Sequence, residues 1–179
     1  MNYSVMNIYE EYIESVIQLA KDAAYDDRYE EAKRLLEGAL MEEPGYAKVH
    51  ARLGDLYHYD LENKAMAARH YELAIKFYPA YQEVYQDLVT LYQDERNYVK
   101  LKRLLKKATA VKTLDPVFLY EKLGMADEAQ GHFKEAIAWY RKGLLESLNN
   151  ADTTELKKHI RRNRYKRFKL RRKRKIEAI

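Results

Sequence analysis

The stretch HARLGDLYHYDLENKAMAARHYELAIKFYP, residues 50–79, decides the fold. Its first part carries Leu53, Gly54 and Tyr57, its second Ala67, Tyr71 and Ala74, all at helical spacing. Pro79 then closes the segment, because proline cannot continue a helix. Small residues on facing sides let two helices approach closely, and Tyr and Leu fill the space beside them. The stretch reads as two packed helices joined by a turn.

The same pattern runs along most of the chain. Leu19, Leu53, Leu88 and Leu123 are spaced by 34, 35 and 35 residues, and Ala20, Gly54, Val89 and Gly124 follow them directly. Ala32, Ala67, Leu101 and Ala136 are spaced by 35, 34 and 35, as are Ala39, Ala74, Ala108 and Gly143. Pro44, Pro79 and Pro116 keep steps of 35 and 37. Registers held in step over more than 120 residues are the signature of stacked repeats. Gly54 and Gly124 are expected where paired helices meet with no room for a side chain. Most of the 17 tyrosines are expected to fill the core between helix pairs. The stretch from Ala108 to Pro116 is longer than its counterparts, so an extended exit turn is expected there.

These motifs resemble the tetratricopeptide repeat, a helix–turn–helix unit of about 34 residues. The resemblance covers roughly residues 13–150 and implies an all-α, right-handed α-solenoid of about four repeats, at about 13–46, 47–81, 82–116 and 117–150. Residues 1–150 would form the solenoid and 151–179 a capping helix with a basic tail. The family binds peptides or partner helices on the inner faces of its A helices. Carried onto this chain, that face supplies Gln18, Lys21, Lys48, Arg52, Asp55, Tyr59, Gln86 and Lys122. Lys48 and Arg52 match one element of the carboxylate clamp with which some members grip chaperone C-termini. The Lys and two Asn that complete such a clamp have no counterpart here, Gln18 standing nearest.

Charge is divided unevenly. Residues 1–150 carry 20 Lys/Arg and 25 Asp/Glu, whereas residues 151–179 carry 13 Lys/Arg and 3 Asp/Glu. Asp152–Glu155, DTTE, reads as a capping box opening a helix with Leu156 and Ile160 on one face. Beyond it, RRNRYKRFKLRRKRK holds 11 basic residues in 15. Mutual repulsion predicts a tail frayed beyond about Asn163. Arg161, Arg162, Arg164, Tyr165, Lys166, Arg167, Phe168, Arg171 and Arg172 are its candidates for RNA or another polyanion: cations for phosphates, aromatic rings for bases.

Chemistry is sparse by comparison. The chain has no Cys, and its five His lack the spacing of a metal site, so ordinary surface or groove positions are expected for them. The six Gly form no phosphate loop, and no nucleophile elbow is present. No enzyme activity and no cofactor are expected. The start carries no signal-peptide pattern, and no apolar run approaches the roughly 20 residues of a membrane span, so a cytoplasmic address is expected. The expected function is a scaffold that binds a protein or peptide in the repeat groove, with a nucleic-acid- or ribosome-associated factor as the alternative. The oligomeric state stays open, a homodimer included.

Overall fold

The computed structural model of the protein describes the backbone of residues 3–177 and the side chains of residues 8–173 and 176. The described chain is helical: α1 (Tyr3–Tyr25), α2 (Tyr29–Glu42), α3 (Ala47–Asp55), α4 (Lys64–Phe77), α5 (Gln82–Asp94), α6 (Tyr98–Ala108), α7 (Pro116–Ala129), α8 (Phe133–Glu146) and α9 (Asn150–Glu177). One π-helical turn, Leu56–Asp60, prolongs α3. The chain forms two compact units, Met1–Leu91 and Tyr92–Ile179, so their border falls inside α5. α9, the expected capping helix, packs on α8 within the second unit.

Each helix pair turns in the same way. Asp27, Glu62, Arg96 and Gly131 all adopt the left-handed conformation, with φ of 60°, 49°, 53° and 78°. The amide that follows reaches back over the helix end, from Arg28 to the Ala23 carbonyl, Asn97 to Tyr92 and His132 to Asp127, each at 2.8 Å. This is the Schellman closure, and only one of the four positions is the glycine it favours. In the second pair the closure spans one more residue, from Asn63 to Tyr57 at 2.7 Å, because the π turn absorbs an extra residue. Three helix starts, those of α4, α6 and α7, are capped by polar side chains. Asn63 accepts from the Met66 amide, Asn97 from that of Lys100, and Asp115 from that of Val117, with Pro116 in the first turn.

The paired helices meet at glycine. A Cβ on Gly54 would lie 2.5 Å from the Tyr71 ring, and one on Gly124 would lie 2.5 Å from the Tyr140 ring. Both tyrosines are fully buried, and each hydroxyl donates to a carboxylate: Tyr71 to Asp55 at 2.9 Å, Tyr140 to Glu128 at 3.1 Å. In the second unit Tyr140 joins Ala136, Ile137, Leu156 and Ile160 in one cluster, which docks α9 on α8.

Several expectations need correction. α1 starts at Tyr3, ten residues before the first repeat was expected to begin. Leu19 is 56% exposed, although Leu53, Leu88 and Leu123 are fully buried. α3 packs on both α4 and the preceding α2, and α7 on both α8 and the preceding α6, whereas the main contact of α1 is with α2 alone. Its buried side is therefore Ile13, Val16, Ile17, Ala20 and Ala23, and the side bearing Leu19 has no neighbour of that kind. Among the tyrosines whose side chains are described, Tyr57, Tyr71, Tyr85, Tyr92 and Tyr140 are buried and the others are half-buried or exposed. α9 begins before the expected capping box: Asn149 is the cap, accepting from the Asp152 amide at 2.8 Å while its amide group donates back to the Asp152 carboxylate. The extended turn after Ala108 is present, closed by Leu114 buried at its end.

Gly124→Ala is expected to destabilise the protein by about 1–3 kcal/mol through overpacking against the rigid Tyr140 ring. Urea denaturation measures this, and Gly38→Ala, where nothing lies within 4 Å of an added Cβ, is the control.

Candidate interaction surfaces

Of the A-helix positions expected to bind a partner, all but Lys122 lie in the first unit, and three of them line one cavity. Lys21, Arg52 and Asp55 line a cavity of about 150 Å³ between α1, α2 and α3, whose floor is Ile17, Ala20, Ala24 and Leu36. Leu36 stands one repeat before Tyr71, and the smaller side chain leaves the space open. Lys48 and Arg52 are exposed or half-exposed on one face, but each already meets a carboxylate: Lys48 pairs with Glu14, and Arg52 with Asp55 at 2.7 Å. Gln18 is exposed and donates to Asp22 at 2.8 Å. Tyr59 lies exposed on the π turn, its ring stacked on His58 at 4.3 Å. Gln86 is exposed on α5, and its carbonyl accepts from the Thr90 hydroxyl. Lys122 belongs to the second unit, where it lies 3.6 Å from Glu121 and over the Phe118 ring.

Electrostatics on this face are set by burial. Burial raises the Asp55 carboxyl, opposed by Arg52 and Tyr71. Burial, with the nearby Asp55 charge, raises Asp87 to about 6. The face is thus neither purely cationic nor purely acidic: Arg52 stands between carboxylates that share it.

The basic segment behaves otherwise than a frayed tail. α9 continues to Glu177, and Asn163 is fully buried in it. The cause is Glu128 on α7. Its carboxylate accepts from Arg162 through two bonds of 2.7 Å, from Asn163 at 2.7 Å, and from Lys166 at 2.8 Å. Burial alone would raise its pKa, but these donors hold it well below the usual carboxylate range, at about 2. Two of the candidate phosphate ligands, Arg162 and Lys166, are therefore engaged within the protein. Arg161, Arg164, Tyr165, Phe168, Arg171 and Arg172 remain exposed on α9, with Arg167 half-buried. Sequence reading missed the Glu128 node, because a lone Glu in a helix is unremarkable. Asn163, an uncharged polar residue inside the basic run, was the one available signal.

Two histidines are not at the ordinary surface or groove positions expected. His50 is buried and His70 half-buried, their Nδ1 atoms 3.1 Å apart. His50 Nε2–H donates to the Pro44 carbonyl, so its Nδ1 accepts from His70. The two rings cannot both be charged, since two Nδ1–H groups would then face each other, and burial with the neighbouring His50 pushes His70 down to about 4. His159 is also buried, stacked on Tyr140 at 4.8 Å. Among the described residues no group of three His, Cys, Asp or Glu is placed to hold a metal ion. No described helix is long and apolar enough to cross a membrane.

Helix pairs repeated at a step of 34 or 35 residues, two of them closing with glycine against tyrosine, define the class: the chain has the fold of tetratricopeptide-repeat proteins. Among solved structures, Pseudomonas aeruginosa PilF matches with a TM-score of 0.64 at 21% identity, over 90% of this chain and 71% of its own. MamA matches with a TM-score of 0.61 at 20% identity, over 80% and 82%. The TPR domain of Arabidopsis OM64 matches with a TM-score of 0.52 at 22% identity, over 65% and 95%. At these identities the likeness is one of fold. No protein-family model matches the sequence, and no curated protein matches it.

The His50–His70 pair makes stability depend on pH. A base whose folded pKa is lowered binds fewer protons in the folded state, so stability falls as pH drops from the unfolded value of 6.5 towards about 4. Asp87 acts in the opposite direction over part of this window, since its folded pKa is raised. The measurement is therefore a difference. The advantage of wild type over His70→Gln in urea midpoint should shrink between pH 7 and pH 4.5. A constant difference would mean that the pair does not titrate with folding.

Proposed function

We propose that the protein is an interaction scaffold whose first unit captures an extended segment of a partner protein. The cavity between α1, α2 and α3 carries this reading. It is apolar at its floor, and its polar lining is Lys21 and Arg52 with Asp55 and Asp60. A space of this size takes one small apolar side chain. The guanidinium of Arg52 bonds Asp55 through Nη1 and has further N–H donors with which to hold a partner carboxylate. The preferred ligand is then an aliphatic residue next to a carboxylate, whether of a side chain or of a chain end. Lys48 and Tyr59 extend the contact along α3 and the π turn, and Gln18 borders it on α1. Gln86, on α5, belongs to the same reading only as a further polar position, and Lys122, in the second unit, is outside it.

The reading draws on the general use of this fold as a protein-binding framework, which fold alone does not fix. Local chemistry adds the preference for an apolar anchor with a neighbouring negative charge. The cations on this face are half-satisfied by Glu14 and Asp55, so a partner carboxylate exchanges with ion pairs already present, and affinity should be moderate and salt-dependent.

Selection of a random peptide library on the full-length protein tests this. Enriched peptides should carry Leu, Ile or Val beside an acidic residue or a free carboxyl terminus. Lys48→Glu combined with Arg52→Glu should abolish their binding without loss of helicity by circular dichroism, and Leu36→Tyr should do so by filling the cavity. Peptides that bind these variants as well as wild type would place the partner on another face.

A further inference from the structure

The side of α1 that bears Leu19 and the outward side of α9 are both uncovered. On α1, Ile8, Tyr12, Ser15 and Leu19 follow one another at steps of 4, 3 and 4, all exposed, with Glu11 and Asp22 along the border. Two of its members hold positions that are buried in the later repeats: Leu19 matches Leu53, Leu88 and Leu123, and Ser15 matches Val49, Val84 and Leu119. Ile8, Tyr12 and Leu19 themselves are 66%, 47% and 56% exposed, so among the described residues the stripe is uncovered.

On α9 the side away from Leu156, Ile160 and Asn163 carries Tyr165, Phe168, Arg172 and Ile176, at helical steps of 3, 4 and 4. Phe168 is 62% exposed and Ile176 66%. Arg161 and Lys169 border this stripe, and both are exposed. Below it, the Glu128 bonds to Arg162, Asn163 and Lys166 hold the helix against α7, so the stripe is presented by an already formed helix.

We propose that the α9 stripe of one copy docks on the α1 stripe of a second copy, so that the protein associates head to tail. The two faces are complementary in both respects that matter. Each offers three apolar residues over a similar length, Ile8, Tyr12 and Leu19 against Tyr165, Phe168 and Ile176, interrupted by the small Ser15 on one side and by Arg172, whose charge can reach the acidic border, on the other. Their borders carry opposite charge, and the units that bear them do too: Met1–Leu91 holds 17 Asp/Glu against 9 Lys/Arg, and Tyr92–Ile179 holds 24 Lys/Arg against 11 Asp/Glu. Two α9 helices would repel, and so would two α1 helices, so the symmetric pairings are disfavoured. A nucleic acid would satisfy the cations of α9 but leave Ile176 without apolar contact, and it would leave α1 uncovered. A membrane would have to accept Arg172 in the middle of the stripe. A heterologous contact of this kind builds chains or closed rings rather than a two-fold dimer.

Sedimentation velocity of the full-length, nuclease-treated protein tests the pairing. At 50 mM salt the mass should rise with protein concentration above that of the monomer, and at 500 mM salt it should fall back as the borders are screened. Leu19→Ser should weaken association about tenfold, the loss expected for one exposed leucine that becomes buried. Glu11→Lys with Asp22→Lys should be monomeric, as should Arg161→Glu with Lys169→Glu and Arg172→Glu. Mixing these two charge-reversed proteins should restore association, because each reversed border then meets a reversed partner. All these residues are exposed, and circular dichroism should show unchanged helix content. A monomer at every concentration and salt, or reversed variants that associate as the wild type does, would overturn the proposal. So would association that nuclease treatment abolishes, which would assign α9 to nucleic acid.

Discussion

In two of its helix pairs, one in each unit, this protein rests on a tyrosine ring lying against a glycine of the neighbouring helix. At Tyr71 over Gly54 and Tyr140 over Gly124 the backbones come so near that no side chain fits between them. A buried phenol still needs a partner for its hydroxyl, and a carboxylate on the glycine-bearing helix supplies it: Asp55 in one case, Glu128 in the other. A buried carboxylate in turn needs cations. Arg52 answers Asp55 across one turn of its own helix, while Glu128 draws Arg162, Asn163 and Lys166 from α9. One packing constraint therefore propagates outward, first to a charged surface residue of the candidate groove, then to the placement of the whole last helix.

The repeat was legible in the sequence because its physics is short-range and periodic. Small residues recur where backbones touch, and Gly54 and Gly124 proved to be such places. What the sequence hid was anything decided by who stands next to whom. Leu19 has the right residue type at the right spacing, yet burial requires a neighbour, and α1 lacks the one that α3 and α7 possess. The basic run looked self-repelling because its counter-charge, Glu128, lies over thirty residues away along the chain. His50 and His70 likewise belong to different helices of one pair, and no local pattern announced them.

The candidate groove was read less completely. Lys21, Arg52 and Asp55 share one cavity, which the spacing of A-helix faces had suggested by resemblance. The cavity itself arises from Leu36 on a B helix, a position valued in the repeat pattern only for filling space. A shortfall of filling is invisible to a search for functional residue types, since leucine in a core excites no attention. The cations were foreseen, but their carboxylate companions Glu14 and Asp55 change the meaning of the face from a bare positive surface to one of exchangeable ion pairs.

The π turn at Leu56–Asp60 shows how such an architecture tolerates drift in length. One extra residue entered the second repeat, and the helix took it up as a local widening before Glu62 resumed the left-handed turn found in the other pairs. The residues on either side keep their phase: Gly54 meets Tyr71, and Asn63 caps α4. Insertions at the end of an A helix are thus buffered within a single turn, and the contact surfaces downstream never register them. Repeat arrays of this design can change their residue count without changing their geometry, and the tyrosine exposed on that widened turn, Tyr59, marks where a lineage can vary its surface at little structural cost.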